Sequence, residues 1–491
     1  MADLIFKDIK VGFIPDTEVE INNKKYLIHD VINGETIKVD ASKKYPELKE
    51  VIKKSPYRID YKIDECGGCQ FMHITYDYEQ KLKTDYINDL FKGMYFNKIE
   101  LIPMESPYNY RNKSQMTFKL SKTKKVVCGL YEEFSHNIIT ANNNILQAKK
   151  TNLVINELNK ILTKNKIRPY DEKKREGELR HVYIRYGFNT DELMLVLVTN
   201  GEILHGRNNI VTDLKKANLG ITTIVQNYNS RNTSIVLGDK DKVLMGPGFI
   251  YEACGDFKFK ISPLSFFQVN TAGMKILYET AIKMGNLKKT DTVIDAYCGV
   301  GTISIFLSKH VKHVYGVEIN KNAINDAKIN QKINNINNVS FVCDDATNYM
   351  TKLAKLREHV DVVVMDPPRD GSTKQFINAI KYLNPRRVIY ISCNPQTLKR
   401  DLYLFFENDY VIKNMKAVDM FPRTIHSEMV TILEKDDELE LLENLVKENQ
   451  KNNTKKYKEN KIKYIPKADI EMMREDKYEA NGFKKDKKRK Y

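Results

Sequence analysis

The chain has 491 residues, 42% of them hydrophobic, and its 80 basic and 64 acidic side chains give a formal net charge of +16. This length allows two or three domains with full cores, and no apolar run approaches the roughly 20 residues that cross a bilayer. The seven cysteines follow no disulfide framework, which is typical of a reducing compartment. We therefore expect a cytoplasmic protein with no membrane segment and a polyanionic partner.

Residues 1–59 contain short segments in which apolar and polar side chains alternate, at residues 18–21 and 36–39, and Asn33-Gly34 supplies a turn before the second. Alternation bounded by turn signals predicts a small β-barrel. OB-type barrels bind nucleic acid on a strand face and loops, but few basic or aromatic residues interleave in this segment. A binding role for the barrel is therefore left open.

Residues 60–270 mix strand-like and helix-like segments, such as residues 193–198 and 151–162, which predicts a central α+β domain. Aromatic and cationic side chains come together in this region at Tyr108, Tyr110, Arg111 and Lys113. Such a combination suits splayed single-stranded bases, although ordinary packing is an equal alternative for the two tyrosines.

A helix signal at Asn270-Thr271, reaching Met284 with Gly285 as its stop, places the start of the catalytic domain at residue 271. Beyond it, apolar runs alternate with helix-length stretches, and each of these runs ends in acid. The acids are Asp295, Glu318, Asp345 and Asp366. This alternation predicts right-handed crossovers and a mostly parallel sheet, a Rossmann-like α/β fold. Ligands bind beyond the carboxyl ends of such strands, so the acids should meet at one site.

A glycine-containing loop follows the first of these strands, and in it Gly299 and Gly301 would let a ligand approach the backbone closely. The loop lacks the full GxGxxG pattern of dinucleotide sites, and a plain turn is the alternative. Glu318 lies 318 − 295 = 23 residues after Asp295, where an acid can hold the ribose hydroxyls of a nucleoside. Together with Asp345, these features predict a site for S-adenosylmethionine.

Cys393 ends the apolar run at residues 388–391 and opens a turn, which would bring its thiol to the edge of the sheet. A thiolate can add to carbon 6 of uracil and so activate carbon 5, and it can also leave again. A base must then remove the carbon-5 proton, and Glu428 is the nearest candidate in sequence. Without these neighbours, Cys393 would be interpreted as a small buried hydrophobe.

These residues resemble the RNA uracil-carbon-5 methyltransferases over roughly residues 66–431. The resemblance is specific in five motifs, namely residues 66–70, 110–113, 265–270, 366–369 and 392–395 with 426–428. It implies that Cys393 is the nucleophile and Glu428 the general base. It also implies contacts to S-adenosylmethionine from Gln268, Tyr297, Thr302, Glu318, Asp345 and Asp366, to which the glycine loop adds Gly299. Thr302 stands where relatives often carry Asn.

Many relatives of this family bind an iron-sulfur cluster through four cysteines. In this chain Cys66 and Cys69 are retained, whereas Asp60 and Asn144 stand near the other two positions. A lone CxxC is a weak metal signal, and a tight structural turn is its alternative interpretation. The sequence therefore predicts no iron-sulfur cluster.

The predicted organisation is a degenerate TRAM-like barrel at residues 1–59, a central domain at 60–270, a methyltransferase domain at 271–435 and a basic, disordered tail at 436–491. Because the barrel resembles that of the ribosomal members of the family, 23S ribosomal RNA is the expected substrate, and no protein partner is indicated. The alternatives are a tRNA uracil-5 or RNA cytosine-5 methyltransferase, or a catalytically inactive RNA-binding protein of ribosome assembly.

Overall fold

The computed structural model describes residues 3–14, 16–42, 45–60, 68–131, 138–140, 143–232 and 235–436. The predicted basic tail and Cys66 lie outside these ranges, apart from Asp436. Within the described ranges, no helix combines the length and the apolar character needed to span a membrane.

The N-terminal segment forms two small antiparallel sheets around a shared core. Its strands are β1 (Leu4–Phe6), β2 (Thr17–Ile21), β3 (Lys24–Ile28), β4 (Thr36–Asp40) and β5 (Glu47–Lys53). One sheet has the order β1-β4-β5 and the other pairs β2 with β3. Alternate residues of β2 are buried, because one face of the strand packs on a core that includes Ile21, Ile37 and Val39.

The central region is built on a seven-stranded sheet with the order β13-β12-β11-β10-β7-β8-β9. The elements of this part of the chain are α1 (Tyr76–Leu90), β6 (Glu100–Ile102), β7 (Lys113–Leu120), β8 (Val126–Tyr131), β9 (Ile138–Thr140), α2 (Lys149–Lys164), β10 (Leu179–Tyr186), β11 (Leu193–Thr199), α3 (Arg207–Lys216), β12 (Thr223–Tyr228) and β13 (Lys240–Met245). Every residue of β11 is buried, so the middle of this sheet is covered on both faces.

The remaining elements supply most of an eight-stranded sheet with the order β18-β17-β16-β19-β20-β22-β21-β6. They are β14 (Ile250–Cys254), β15 (Phe257–Ile261), α4 (Thr271–Gly285), β16 (Thr292–Ala296), α5 (Thr302–Ser308), β17 (His313–Glu318), α6 (Lys321–Ile333), β18 (Val339–Cys343), α7 (Ala346–Leu356), β19 (Val362–Met365), α8 (Lys374–Leu383), β20 (Arg387–Ser392), α9 (Pro395–Phe406), β21 (Tyr410–Val418) and β22 (Glu428–Lys435).

The eight-stranded sheet is mostly parallel, since β16, β17, β18, β19 and β20 run in one direction and β22 runs against β20. Two separate apolar cores cover its faces, which explains why these strands are continuous hydrophobic runs. The predicted α/β fold is confirmed. At one edge, β6 pairs in parallel with β21, although about 300 residues separate them in the chain. The domain boundaries given above stay predictions.

Candidate active site

The parallel strands bring the predicted site residues to one edge of the sheet. Glu318 is the last residue of β17, Asp366 follows β19, and Cys393 follows β20 directly. Tyr297 follows β16 in the same way, and Asp345 lies just beyond β18. Because neighbouring parallel strands end at the same edge, these residues lie along one edge of the sheet. That their side chains form one functional site stays a prediction.

Cys393 is half-buried in the turn between β20 and α9. Ser392 Oγ accepts a hydrogen bond from Asn394 N at 3.2 Å, and the Asn394 side chain caps α9 by accepting from Gln396 N at 3.1 Å. These bonds hold the thiol at the edge of the sheet. Burial, followed by the charges of Glu428 and Asp366, raises the pKa of Cys393 to about 11. The thiol is therefore protonated near neutral pH.

Glu428 begins β22 and is buried beside the end of β20, since its neighbour Met429 pairs with Ser392. Its Oε2 atom has no hydrogen-bond partner. Burial raises the pKa of Glu428 well above its usual range, Asp366 adds to this effect, and Arg369 opposes it. A buried and unpartnered carboxyl oxygen is costly. The oxygen is therefore available to contact a ligand.

Arg369 and His426 are two further residues at this site to which sequence reasoning gave no role. Arg369 Nη2 lies 2.8 Å from His426 Nε2, and because arginine only donates, Nε2 is the acceptor and His426 is neutral. Burial, followed by the charge of Arg369, lowers the pKa of His426 to about 4. The Arg369 carbonyl is held by Asn394 Nδ2 at 3.3 Å and by Thr397 Oγ1 at 3.0 Å. The DPPR motif and the turn that follows Cys393 are thus linked by hydrogen bonds.

The glycine loop lies against Glu318. Glu318 Oε2 accepts from Gly299 N at 3.2 Å, and its Oε1 accepts from Asn320 N at 2.8 Å. Gly299 has φ +54° with open space where a Cβ would point, so a ligand can approach the backbone there. Tyr297 has φ 69°, a strained conformation for a residue with a side chain, and such strain clusters at functional sites.

The other predicted cofactor contacts have structural partners. Asp345 caps α7 by accepting from Asn348 N at 3.0 Å. Thr302 Oγ1 lies 3.1 Å from the hydroxyl of Tyr278. Gln268 is buried in the loop before α4, and its carbonyl accepts from Asn112 at 2.9 Å. The contact at Gln268 involves its backbone and not its side-chain amide. The assignment of these three residues to cofactor binding stays a prediction.

The site concentrates acidic groups that repel one another's charges. Burial is the main cause that raises the pKa of both Asp295 and Asp366 to about 7, and for Asp295 the charges of Asp366 and Glu318 add to it. Mutual repulsion of this kind is relieved when a cation binds nearby. S-adenosylmethionine carries a sulfonium and an ammonium group, so the residues present fit this ligand.

No group of three or more His, Cys, Asp and Glu side chains suited to a metal ion occurs in the described part of the chain. Cys69 is disulfide-bonded, which the sequence analysis did not predict. Asn144, near the position of the fourth cluster cysteine in relatives, is buried, and its Oδ1 accepts from Leu146 N at 2.9 Å. Cys66 lies outside the described residues.

Two kinds of sequence comparison identify the relatives of this chain. The family model of the tRNA (uracil-5-)-methyltransferases matches residues 75–436. An uncharacterized RNA methyltransferase from Halalkalibacterium halodurans is 40% identical over 417 residues, which cover 84% of this chain and 91% of that protein. The chain belongs to this methyltransferase family. A second uncharacterized RNA methyltransferase, from Oceanobacillus iheyensis, is 38% identical over 403 residues, covering 81% of this chain and 88% of that protein.

A solved structure supports the same assignment for this methyltransferase. The crystal structure of a tRNA (uracil-54, C5)-methyltransferase from Pyrococcus abyssi, in complex with S-adenosyl-L-homocysteine, aligns with a TM-score of 0.70 and 26% identity. The alignment covers 88% of this chain and all of the other chain. The resemblance found in the sequence is therefore confirmed: the protein is an S-adenosylmethionine-dependent RNA uracil-5 methyltransferase.

Proposed function

We propose that this enzyme methylates carbon 5 of uridine in 23S ribosomal RNA through a covalent adduct between Cys393 and carbon 6. Glu428 is the base that removes the carbon-5 proton. The observation that carries this proposal is the buried, unpartnered Oε2 of Glu428, whose carboxyl interacts with the thiol of Cys393 at the edge of the sheet. The thiol and the carboxyl that this mechanism requires therefore lie close enough to interact electrostatically at one edge of the sheet.

The first step is addition of the Cys393 sulfur to carbon 6. Only the thiolate attacks carbon 6, and the pKa of the thiol is about 11. The thiol must therefore lose its proton before the carbon-sulfur bond forms. The half-buried position of Cys393 allows this proton to pass to solvent. The electrons of the ring double bond move onto the oxygen at carbon 4. Arg369, the cation that favours the ionised forms of both Cys393 and Glu428, limits the accumulation of negative charge in the pocket.

The second half of the reaction restores the ring. When bound, S-adenosylmethionine supplies an electrophilic methyl group, which carbon 5 accepts. Glu428 must be ionised for the next step, and the charge of Arg369 favours its carboxylate form. The carboxylate takes the proton from carbon 5, the double bond between carbons 5 and 6 forms again, and the bond to Cys393 breaks to release the thiolate. Positioned proton removal of this kind typically contributes about 10²- to 10⁴-fold in rate.

The donor is held, in this proposal, by the cofactor side of the site. Glu318 and the glycine loop at Gly299 lie in hydrogen-bonding contact and bind the nucleoside. Burial raises the pKa of Tyr297, and the charge of Asp345 adds to this effect, which supports a place for both residues on the cofactor side. Asp366 connects this side to the nucleophile, because its charge acts on both Asp295 and Cys393.

The RNA approaches from the central region, where Lys150 and Lys164 have acidic partners. Among the described residues, Arg185 and Lys113 form no ion pair with an acidic side chain. Arg185 is fully buried, and its guanidinium donates to Tyr183 Oη at 2.7 Å and to the Phe267 carbonyl at 3.3 Å. Lys113 pairs with Arg185 across β7 and β10, and burial, followed by the charges of Arg185 and Arg111, lowers its pKa to about 8. An anion is the natural partner of such a group, and RNA phosphates supply it. The target uridine must leave its stack to reach Cys393.

Two substrate classes are supported by different observations. The predicted N-terminal barrel, with its two antiparallel sheets around one core, favours ribosomal RNA. The structural similarity to a tRNA (uracil-54, C5)-methyltransferase favours tRNA. Ribosomal RNA is the proposal, because that small module would add a surface for a large folded substrate.

The test uses the variants Glu428→Gln and Cys393→Ala with labelled RNA. We expect Glu428→Gln to accumulate a protein-RNA adduct that survives denaturation, whereas Cys393→Ala forms neither adduct nor product but still binds S-adenosylhomocysteine. Release of methylated RNA at the normal rate by either variant would contradict the mechanism. Mapping of 5-methyluridine in ribosomal RNA and tRNA from cells without the protein decides the substrate class, and loss of the mark from tRNA alone would overturn the ribosomal proposal.

A further inference from the structure

A buried ionic cluster joins helix α1 to the loop at residues 419–427, which leads into Glu428. Lys83 Nζ lies 2.8 Å from Glu79 Oε1 and 2.7 Å from Asp419 Oδ1, and all three side chains are inaccessible to solvent. Arg423 completes the cluster, since its Nη1 atom lies 3.4 Å from Glu79 Oε2 and its backbone N donates to Glu79 Oε1 at 2.7 Å. Two cations and two carboxylates thus balance one another inside the protein.

The loop is held by its backbone as well as by these charges. The carbonyls of residues 420–423 all accept hydrogen bonds from residues in the first 270 positions of the chain. The donors are Asn270 Nδ2 at 3.0 Å, Lys83 Nζ at 3.2 Å, Tyr110 Oη at 2.9 Å and Gln70 N at 2.9 Å, in the order of the carbonyls. Consecutive carbonyls with distant donors leave this loop little freedom to move.

Arg423 shows that the loop is forced into its conformation. Its φ is 69°, a region that costs free energy for a residue with a side chain. The guanidinium compensates by donating to the Ile74 carbonyl at 2.8 Å and to Tyr108 Oη at 2.8 Å. These contacts stabilise the strained conformation of Arg423. The residue lies shortly before His426 and Glu428 in the chain, so its position restricts theirs.

We propose that Lys83 is a positioning residue for proton removal, which it supports by fixing the loop that orients Glu428 and His426. This inference rests on the proposed function of Glu428. Lys83 does not touch the cofactor side, because its side-chain partners are Glu79, Asp419 and the Phe421 carbonyl. Its loss should therefore slow the base-dependent step and leave donor binding unchanged. A misplacement of about 1 Å can cost roughly 10²-fold in rate.

The variant Lys83→Met alone leaves two carboxylates buried without a cation, so it can fail to fold for reasons unrelated to positioning. The double variant Lys83→Met/Asp419→Asn removes one charge of each sign. It retains the ion pair in which Arg423 Nη1 lies 3.4 Å from Glu79 Oε2. The matched control is Arg180→Met. Arg180 is a buried cation that also holds backbone carbonyls, those of residues 229 and 231, but in the seven-stranded sheet.

The kinetic readout is single-turnover release of tritium from RNA containing 5-tritiated uridine, measured per folded molecule, together with the fraction of RNA held as covalent adduct. For the double variant we expect tritium release at least about tenfold slower, more adduct, and an unchanged dissociation constant for S-adenosylhomocysteine. Arg180→Met should retain the wild-type rate. Release by the double variant within twofold of wild type would overturn the proposal.

A second readout does not depend on the chemistry. Amide hydrogen exchange at residues 419–428 should be faster in the double variant and unchanged in Arg180→Met, and unchanged exchange in the double variant would overturn the role of Lys83. Absence of tritium release from the wild-type enzyme on every uridine-containing RNA would instead refute the proposed function. In that case, the exchange measurement alone decides whether Lys83 fixes the loop.

Discussion

The ionisation of Cys393 gives the sharpest prediction for the ligand-free enzyme. Its pKa of about 11, against an ordinary 9.0, is caused first by burial and then by the charges of Glu428 and Asp366. At pH 8, about one molecule in 10³ then carries the thiolate, compared with about one in 10 for an unperturbed thiol. Because only the thiolate is alkylated, iodoacetamide should modify Cys393 about 100-fold more slowly than an ordinary thiol of equal accessibility.

The assay is alkylation of the whole protein at pH values from 7 to 10, with each cysteine quantified by mass spectrometry. The logarithm of the rate at Cys393 should rise by about one for each pH unit without levelling off. Cys343 is exposed and monitors the reagent in the same sample. In the variant Glu428→Gln, one of the charges that oppose ionisation is removed, so the rate at Cys393 should increase at alkaline pH. In Arg369→Gln it should decrease.

A rate at Cys393 that levels off below about pH 8 would refute this reasoning. It would mean that the thiolate is already formed in the ligand-free enzyme, so that the carboxylates beside it do not oppose ionisation. A rate that rises with pH but is unaffected by Glu428→Gln would show that the charge of Glu428 is not a cause, which leaves burial and Asp366.

Two further predictions concern the glycine loop and the RNA surface. Gly301→Ala should lower the free energy of unfolding by about 1 to 3 kcal/mol in urea titrations, because φ is +81° and the new Cβ would lie 2.5 Å from Cζ of Phe341. Gly299→Ala, with φ +54° and no atom within 4 Å of the added Cβ, should lose less stability, and equal losses would contradict the steric argument. Lys113→Met should reduce the salt dependence of RNA binding, lowering the slope of log affinity against log salt by about one, and an unchanged slope would remove Lys113 from the interface.

Much of the fold could be predicted because it depends on local signals. The helix starting after Asn270 was expected from its cap, and Asn270 Oδ1 accepts from Gly273 N at 2.9 Å as that cap requires. The acids at Glu318 and Asp366 follow apolar runs, and the rule that parallel strands end at one edge is sufficient to bring them together. The assignment of Cys393 as nucleophile and of Glu428 as base stays a prediction.

Long-range partners could not be predicted in this way. The pairing of β6 with β21 joins residues 100–102 to residues 416–418, and no local pattern in either segment specifies the other. Lys83 looks in the sequence like an ordinary surface lysine of an amphipathic helix, whereas the structure buries it between Glu79 and Asp419. The burial of Lys83 and its two carboxylate partners could not be predicted, because they depend on the position of the loop at residues 419–427 beside α1.

The raised pKa values at the site and the positive charge of the methyl donor are connected. Burial crowds Cys393, Asp366 and Glu428 together so that each resists ionisation, and a pocket in this state holds its protons and is a poor nucleophile and a poor base. The pKa values of all three groups fall when a cation enters beside them. Since the methyl donor is itself a cation, we expect its binding to lower the pKa values of these groups.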